Sequence, residues 1–233
     1  MTNLYQSKVL ENKQVNQKFH QLKFKLQGDT FAFQTGQFVV LKVGEDLYRD
    51  YSLASTPQAL PQWEIVVDVT PGGPGTTYLK QLKPGETVET TSPRGVFTLQ
   101  EDGAETVILG ATGCGISPLK PMIEELLSGS EKKKVCLFWG LRYGSEIFLE
   151  DILGKWQKDY PNFDFKIVLS KPEAGWEGES SHVTECVIEM VGKSSKDKTS
   201  VYLCGSSEMV YDVRESLAKI DFPHDKIYFE RYF

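Results

Sequence analysis

From about residue 105 onward the chain alternates between short apolar runs and amphipathic segments, and few architectures accept that order. TVILGA, KVCLFWGL, FDFKIVLS and SVYLCG are nearly continuous in apolar and β-branched residues, as strands buried on both faces must be. Between them lie SPLKPMIEELLSG, EIFLEDILGKWQKDY, HVTECVIEMV and SEMVYDVRESLAKI, with apolar residues at helical spacing. KIYFERYF closes the chain as a last strand. Strand–helix repetition builds a parallel sheet, because each helix carries the chain back to start the next strand in the same direction. Residues 105–233 are therefore expected to form a parallel α/β domain with helices on both faces.

The first 99 residues have another texture. KVLENKQV, FHQLKFKLQ, GQFVVLKV, DYSLAST, WEIVVDV, ETVETTS and GVFTL read as short strands. GDT, VGEDL, TPQALPQ, TPGGPG and KPGE separate them, with Gly, Pro and Asp where turns need them. Many short strands at this spacing predict an antiparallel β-barrel, interrupted by one helical segment at Thr76–Leu82. The polar LQEDGAE, residues 99–105, joins the two parts.

Three local patterns carry chemistry. In TVILGATGCGISPLKPM a buried strand runs into glycines 110, 113 and 115, then into a helix start with Ser117 as cap and Pro118 at its first position. A helix start offers unpaired N–H groups and partial positive charge, which suits a phosphate. The spacing is not G-x-G-x-x-G, and a ligand-free glycine turn fits these residues equally well. GGPGTTYL repeats the logic: Gly73, Gly75, Thr76 and Thr77 lie where a loop becomes a helix, and a threonine cap serving its own helix is the plainer reading. RDYSLAST sets Arg49, Tyr51 and Leu53 on one strand face and Asp50, Ser52 and Ala54 on the other. Read alone, Arg49 is a surface ion-pair residue and Tyr51 a half-buried strand residue.

Several classes are disfavoured. The formal net charge of −6 and a longest basic run of only Lys132–Lys134 give no nucleic-acid footprint. No apolar run of membrane-spanning length occurs, and MTNLYQSKVLENK lacks the order of a signal peptide. Cys114, Cys136, Cys186 and Cys204 form no C-x-x-C pair and no plant-type C-x₄-C-x₂-C cluster pattern, so neither zinc nor iron–sulfur is expected. Reduced cysteines and a cytoplasmic location follow. The histidines at 20, 182 and 224 are scattered; no metal site or nucleophilic triad can be assembled, and His182 reads as a capping or packing residue.

Taken in order, the motifs resemble the ferredoxin–NADP reductase superfamily over nearly the whole chain. RDYS resembles the family's R-x-Y-[S/T], GPGT its G-x-x-[S/T], and ATGCGISP its T-G-x-G-[I/V]-[A/S/T]-P. VYLCGSSEM resembles the C-G-x-x-x-M strand end and ERYF the E-x-[Y/F] ending. The resemblance implies a two-domain flavoprotein: an FAD-binding barrel over 1–99 and an NAD(P)-binding domain over 105–233. Arg49 would meet a flavin phosphate, Tyr51 lie against the isoalloxazine and Ser52 bond near its N5, with Asp50, Gly73, Gly75, Thr76 and Thr77 completing the FAD set. A second phosphate site in the barrel favours FAD over FMN. NAD(P)H would meet Thr112, Gly113, Cys114, Gly115, Ser117, Pro118, Gly140, Arg142, Ser170, Lys171, Cys204, Gly205 and Met209. Ser52, Cys204, Glu230, Tyr232 and Phe233 are the expected catalytic set, one of the two terminal aromatics covering the flavin. Buried packing remains the alternative for Cys204, and edge-strand packing for Tyr228, Phe229, Tyr232 and Phe233.

Cys114 and Ser181 depart from the family, which often has Thr or another small residue at the first and Gly at the second. Ser170-Lys171 stands where some NADPH users have Ser-Arg, and lysine lacks the guanidinium fork. PEAGWEG resembles NADH users as much as NADPH users, so NADH or NADPH is expected as cosubstrate, with a lean to NADH.

The implied activity is hydride transfer from nicotinamide to FAD, then electrons to an external carrier such as a ferredoxin or flavodoxin. Such carriers are commonly acidic, so a net-negative chain would need a local basic patch from Lys13, Lys18, Lys23, Lys25, Lys80 or Lys83. Alternatives are the reductase component of an oxygenase, a free-flavin reductase, or a flavin-bearing electron-transfer subunit of a larger complex.

Overall fold

The computed structural model describes residues 4–232. The chain divides into two compact units: the first runs to Leu99 and takes in Lys120–Met122, and the second comprises Gln100–Leu119 and residues from Ile123 onward.

The first unit is a six-stranded antiparallel sheet built from β1 (Leu4–Gln14), β2 (Phe19–Gln27), β3 (Phe38–Lys42), β4 (Tyr48–Ser52), β5 (Gln62–Asp68) and β6 (Thr87–Thr91), in the order β4-β3-β6-β1-β2-β5. Its ends meet just beyond β4, where the Ala54 N–H donates to the Glu64 carbonyl at 2.8 Å and the Glu64 N–H to Ser55 Oγ at 3.1 Å. The inward residues of every strand make one apolar core, with Phe24 stacked on Trp63 at 4.2 Å. Trp63 satisfies its indole N–H on the buried Ser7 hydroxyl at 3.1 Å. Helix α1 (Pro74–Gln81) lies between β5 and β6 and puts Leu79 into that core.

Two expectations fail here. GVFTL is not a strand: Gly95 adopts φ 105°, and the Thr98 N–H closes back on the Val96 carbonyl at 3.0 Å. The left-handed glycine turns the run out of extended geometry, leaving Val96 94% exposed while Phe97 is buried. The helix starts at Pro74 rather than Thr76, because proline's fixed φ suits the first helical position.

The second unit is a five-stranded parallel sheet of β7 (Thr106–Thr112), β8 (Lys134–Leu141), β9 (Phe163–Leu169), β10 (Thr199–Ser206) and β11 (Ile227–Tyr232), in the order β11-β10-β7-β8-β9. Helices α2 (Ile116–Ser128), α3 (Glu150–Asp159), α4 (Val183–Gly192) and α5 (Ser207–Lys219) connect them. Helices α4 and α5 pack Val187, Val191, Val213 and Leu217 against Ile108, Phe138, Val201 and Leu203 on one sheet face. The residues alternating with these, Leu109, Leu137, Trp139 and Tyr202, are equally buried on the other face.

The LQEDGAE joint is structured in part. Asp102 accepts hydrogen bonds from the hydroxyls of Ser200 and Tyr228 and from the Ala104 N–H, and its backbone carbonyl takes the Lys226 ammonium at 2.6 Å. Burial alone would raise its pKa; the Ser200, Ala104 and Tyr228 bonds and the Lys226 charge outweigh it and hold the carboxyl below its usual range. The Gln100 N–H donates to Tyr202 Oη at 2.9 Å.

Candidate functional site

Within the first unit, RDYS and GPGT come together. β4 pairs with β3 so that Arg49 lies opposite Leu41 and Tyr51 opposite Val39. Arg49, Tyr51 and Leu53 thus share the core-facing side of their strand, with Leu53 buried, Tyr51 packed on the core edge and Arg49 exposed at the rim. Asp50 is exposed and Ser52 buried on the opposite side. The first turn of α1 lies against this rim: a Cβ added at Gly75 would stand 2.7 Å from Tyr51 Oη and 3.0 Å from Arg49 Cγ. No larger residue leaves this approach undisturbed.

The helix cap is Gly73, which offers no side-chain acceptor to the first turn. Neither threonine is the cap: Thr76 Oγ1 instead donates to the Gly73 carbonyl at 3.0 Å, and the Thr77 N–H makes the first helical bond to that carbonyl at 2.9 Å. The N–H groups of Gly75 and Thr76 therefore start the helix without side-chain capping, beside the Arg49 stem, whose guanidinium donates to the Tyr48 carbonyl at 2.7 Å. Burial, countered by Arg49 and assisted by Asp50, pushes the Tyr51 phenol up to about 12, so the ring is neutral. Beside Ser52, the Leu53 N–H bonds to the Gln37 carbonyl at 3.0 Å, and Gln37 Nε2 to the Gly95 carbonyl at 3.0 Å. Sequence reasoning gave Gln37 no role.

Within the second unit, the expected nucleotide residues gather at the carboxyl ends of β7–β10, where open parallel sheets bind ligands. Glycines permit the contacts. A Cβ at Gly115 would sit 2.1 Å from the Cys204 carbonyl oxygen, and one at Gly205 would sit 2.1 Å from Thr112 Oγ1. Gly205 also adopts φ 145°, and the Ser206 N–H donates to Thr112 Oγ1 at 2.9 Å. At Gly140 a Cβ would reach Val183 at 2.7 Å and Thr112 at 3.1 Å. The Trp139 indole N–H donates to the Gly113 carbonyl at 2.9 Å, fixing the ATGCG turn; that tie spans 26 residues and has no signature in the sequence. Arg142, Ser170 and Lys171 are exposed at the ends of β8 and β9, joined by the Lys171 N–H to the Arg142 carbonyl at 2.9 Å.

The start of α2 differs from expectation. Gly113–Gly115 form a 3-10 turn that runs directly into the helix, so Gly115 is the cap and no side chain caps it. Ser117 and Pro118 are the second and third helical residues, both buried. Pro118 costs no hydrogen bond there, since first-turn N–H groups have no helical partner. Met209 occupies the core beneath α5, and its N–H donates to the capping Ser206 hydroxyl at 3.2 Å.

β10 and β11 align Cys204 with Glu230 and Ser206 with Tyr232. Burial pushes the Cys204 thiol well above its usual range, Glu230 adds to the effect, and a hydrogen bond from the Tyr232 side chain opposes it. Cys204 is thus a neutral thiol in a site that also holds a carboxylate and a phenol. Phe233 lies outside the described residues. His182 precedes α4, its N–H donating to the Glu185 carboxylate at 3.3 Å. Among the described residues no cluster of metal-ligating side chains occurs, and no helix is long and apolar enough to cross a membrane.

Residues 6–99 match the oxidoreductase FAD-binding domain family, and residues 109–215 the oxidoreductase NAD-binding domain family. Ferredoxin–NADP reductase B of Sorangium cellulosum is 30% identical over 213 residues, covering 88% of this chain and 87% of that protein. The chain belongs to the ferredoxin–NADP reductase superfamily. Like the superfamily's members it is an FAD-dependent NAD(P)H oxidoreductase. Terephthalate 1,2-dioxygenase reductase component 1 of Comamonas sp is 27% identical over 188 residues, covering 80% of this chain and 55% of its own length, so the chain spans about half of that relative. The Amycolatopsis cytochrome P450 reductase structure is 27% identical with a TM-score of 0.88, covering 99% of this chain and 71% of the other. The Neisseria gonorrhoeae ferredoxin NADP+ reductase shares the superfamily fold at a TM-score of 0.88 and 21% identity over the full length of both chains.

The residues present fit the cofactors. The rim at Gly75 offers uncapped N–H groups, a neutral ring and the stem of exposed Arg49, whose guanidinium has N–H groups beyond the one given to the Tyr48 carbonyl, a donor set that suits a phosphate-bearing flavin. The glycines at 115, 140 and 205 let the strand ends and the ATGCG turn pack closely against one another at the carboxyl edge where open parallel sheets bind dinucleotides.

Proposed function

We propose that this reductase takes electrons from NAD(P)H and delivers them to a separate protein carrier, a ferredoxin, a flavodoxin or the terminal component of an oxygenase. The observation that carries the site assignment is the contact of Gly75 with Arg49 and Tyr51, which gives one anion-seeking rim inside the FAD-binding domain. In this reading the barrel domain ends at Leu99 and the nucleotide domain starts at Glu105.

Bound FAD would accept hydride from the nicotinamide and release electrons singly or in pairs, which is the chemistry the polypeptide itself lacks. Arg49 and the N–H groups of Gly75 and Thr76 hold the diphosphate, with Gly73 and Thr77 shaping the turn. Tyr51, neutral and half-buried, supplies a flat wall for the ring system, and Ser52 a hydroxyl for its polar edge. Asp50 sits between them as an exposed carboxylate. On the nucleotide side Thr112, Gly113, Cys114, Gly115, Ser117 and Pro118 line the diphosphate turn. Gly140, Arg142, Ser170 and Lys171 take the adenosine end. Cys204, Gly205, Glu230 and Tyr232 face the nicotinamide, where an uncharged thiol tolerates a ring whose charge changes on reaction. Met209 supports this site from the core, and Phe233, next to Tyr232 in the sequence, is the other candidate for the ring that covers the flavin.

The carrier reading is supported by the Sorangium relative, named a ferredoxin–NADP reductase; the Comamonas relative, named a dioxygenase reductase component, supports the oxygenase form. Of the lysines that could meet an acidic carrier, Lys13, Lys25, Lys80 and Lys83 are exposed, whereas Lys18 pairs with Asp68 and Lys23 with Glu11 and Glu64. Four free cysteines support a reducing, cytoplasmic setting. The test is a panel of ferredoxin, flavodoxin, an oxygenase component and free FMN under steady-state NADH and NADPH. Fast reduction of a protein carrier that slows with added salt is expected. Fast reduction of free FMN alone assigns the chain to free-flavin reduction instead.

A further inference from the structure

The far end of α1 is held by two residues that the flavin chemistry does not use. Asn12 on β1 donates its amide N–H groups to the Leu79 carbonyl at 2.9 Å and the Leu82 carbonyl at 2.8 Å, with Lys80 O at 3.4 Å. These are carbonyls of the last helical turn and its cap, where the helical ladder runs out of donors; the Leu79 carbonyl also takes the capping Leu82 N–H, at the longer distance of 3.3 Å. With its nitrogen committed to carbonyls, Asn12 turns its oxygen to His20, whose Nδ1 lies 2.9 Å away. His20 Nδ1 must therefore carry the proton. Its other nitrogen, Nε2, is buried and meets no partner among the described residues, in a side chain only 5% exposed. Burial and then the Lys80 charge keep this imidazole neutral by lowering its pKa.

A backbone irregularity puts Asn12 there. β1 and β2 pair with a bulge between Val9 and Glu11, so that Leu10 is an extra residue in the ladder. Strict alternation from the buried Val9 would turn Glu11 and Lys13 inward. After the bulge Asn12 shares the inward side with its partner Leu22, and Glu11 pairs with Lys23 on the other side at 3.1 Å. Bulges re-aim side chains in this way.

We propose that Asn12 and His20 form a positioning clamp that sets the placement of α1, and with it the affinity of the barrel for the flavin diphosphate. The helix is short, about 12 Å at the usual rise. Its start lies on Arg49 and Tyr51 through Gly75, and its end hangs from Asn12. A rigid rod of that length passes a displacement at one end to the other, so losing the clamp moves the uncapped N–H groups away from Arg49 and Tyr51. His20 acts through Asn12: the buried imidazole fixes the rotation of the amide through the 2.9 Å bond to its oxygen. The inference rests on the reading that the start of α1 holds a phosphate.

The experiment measures FAD dissociation constants of the full-length protein by flavin fluorescence after FAD removal. Asn12→Asp exchanges a double donor for an acceptor facing carbonyls, and an FAD dissociation constant raised about tenfold or more is expected. His20→Ala should raise it severalfold, and His20→Gln, which can still donate to Asn12, should restore most of the affinity. Ser7→Ala, which removes the Trp63 partner at the other end of β1, is the control for general loosening of the barrel. The clamp is overturned if Asn12→Asp folds and binds FAD as tightly as the parent, or if Ser7→Ala weakens FAD as much as the clamp variants do. Should Asn12→Asp fail to fold, the His20→Ala and His20→Gln pair decides: equal affinities overturn the clamp. Arg49→Ala separates the two layers. If it too leaves FAD affinity unchanged, the phosphate reading has failed; if it alone weakens binding, only the clamp has.

Discussion

Gly75→Ala separates binding geometry from stability, because the two should move in opposite directions. The added methyl carbon would stand 2.7 Å from Tyr51 Oη and 3.0 Å from Arg49 Cγ. Ordinary contact begins near 3.4 Å, so the phenol must retreat by about 0.7 Å and the arginine stem by about 0.4 Å. Both atoms belong to side chains that can swing, and Gly75 sits in a helix, where alanine is favoured over glycine by up to about 1 kcal/mol. The FAD-free protein should therefore melt at the same temperature or slightly higher. The displaced pair no longer meets the flavin where the first-turn N–H groups do, and a loss of about 1.4 kcal/mol, tenfold in the dissociation constant, is expected. Gly154→Ala on α3, where a Cβ meets nothing within 4 Å, is the matched control: a similar gain in stability with no change in FAD affinity. Thermal melts read the first quantity and fluorescence titration with FAD the second. Unchanged FAD affinity in Gly75→Ala would refute the claim that this approach builds the flavin site.

Other perturbations give distinct signatures. Gly115→Ala drives a methyl into the Cys204 carbonyl, a backbone atom that cannot swing aside, so this variant should lose several kcal/mol of stability or fail to fold, as expression and melting will report. Asp102→Ala strips Ser200 and Tyr228 of their acceptor and should cost about 2 kcal/mol in denaturant melts. The depressed Asp102 pKa means its contribution is full above the unfolded value near 3.8 and is lost as pH falls through the lower folded value, so the parent's acid sensitivity below that point should be blunted in Asp102→Asn. Thiol labelling of the folded protein should begin at the half-exposed Cys114, while the buried Cys204 and Cys136, the latter pushed up to about 11 by burial, stay unmodified until unfolding; early labelling of Cys204 would contradict its assignment as a buried neutral thiol.

How far the sequence could be read depended on the range of the interaction. The parallel domain was legible because each strand buries both faces and each helix shows its stripe, and those are local patterns. The strand through Arg49 to Ser52 was legible by alternation, though its reach past Ser52 was not, since the chain there bonds to Gln37 and Glu64 instead of continuing the ladder. GVFTL alternates convincingly, and only the left-handed Gly95 shows why it turns. Ser117 looked like a cap because serine before proline usually is one; the 3-10 turn at Gly113–Gly115 took that place. The bulge at Leu10 has no glycine or proline to announce it, and strict alternation from Val9 would turn Asn12 outward. At the sites, the motif residues were recognisable, but their supports were not. Trp139 reaches Gly113 across 26 residues, and Asn12 reaches Leu82 across 70, and no local pattern encodes such pairings.

One polypeptide binds FAD and passes electrons to it from a nicotinamide nucleotide. Anaerobic titration of the purified, FAD-loaded protein with NADH and separately with NADPH, followed through the visible flavin absorbance, tests it most directly. At least one nucleotide should bleach the flavin stoichiometrically within seconds, and Arg49→Ala should lower the flavin content at the start. Protein that retains no FAD, or FAD that neither nucleotide reduces, would contradict it.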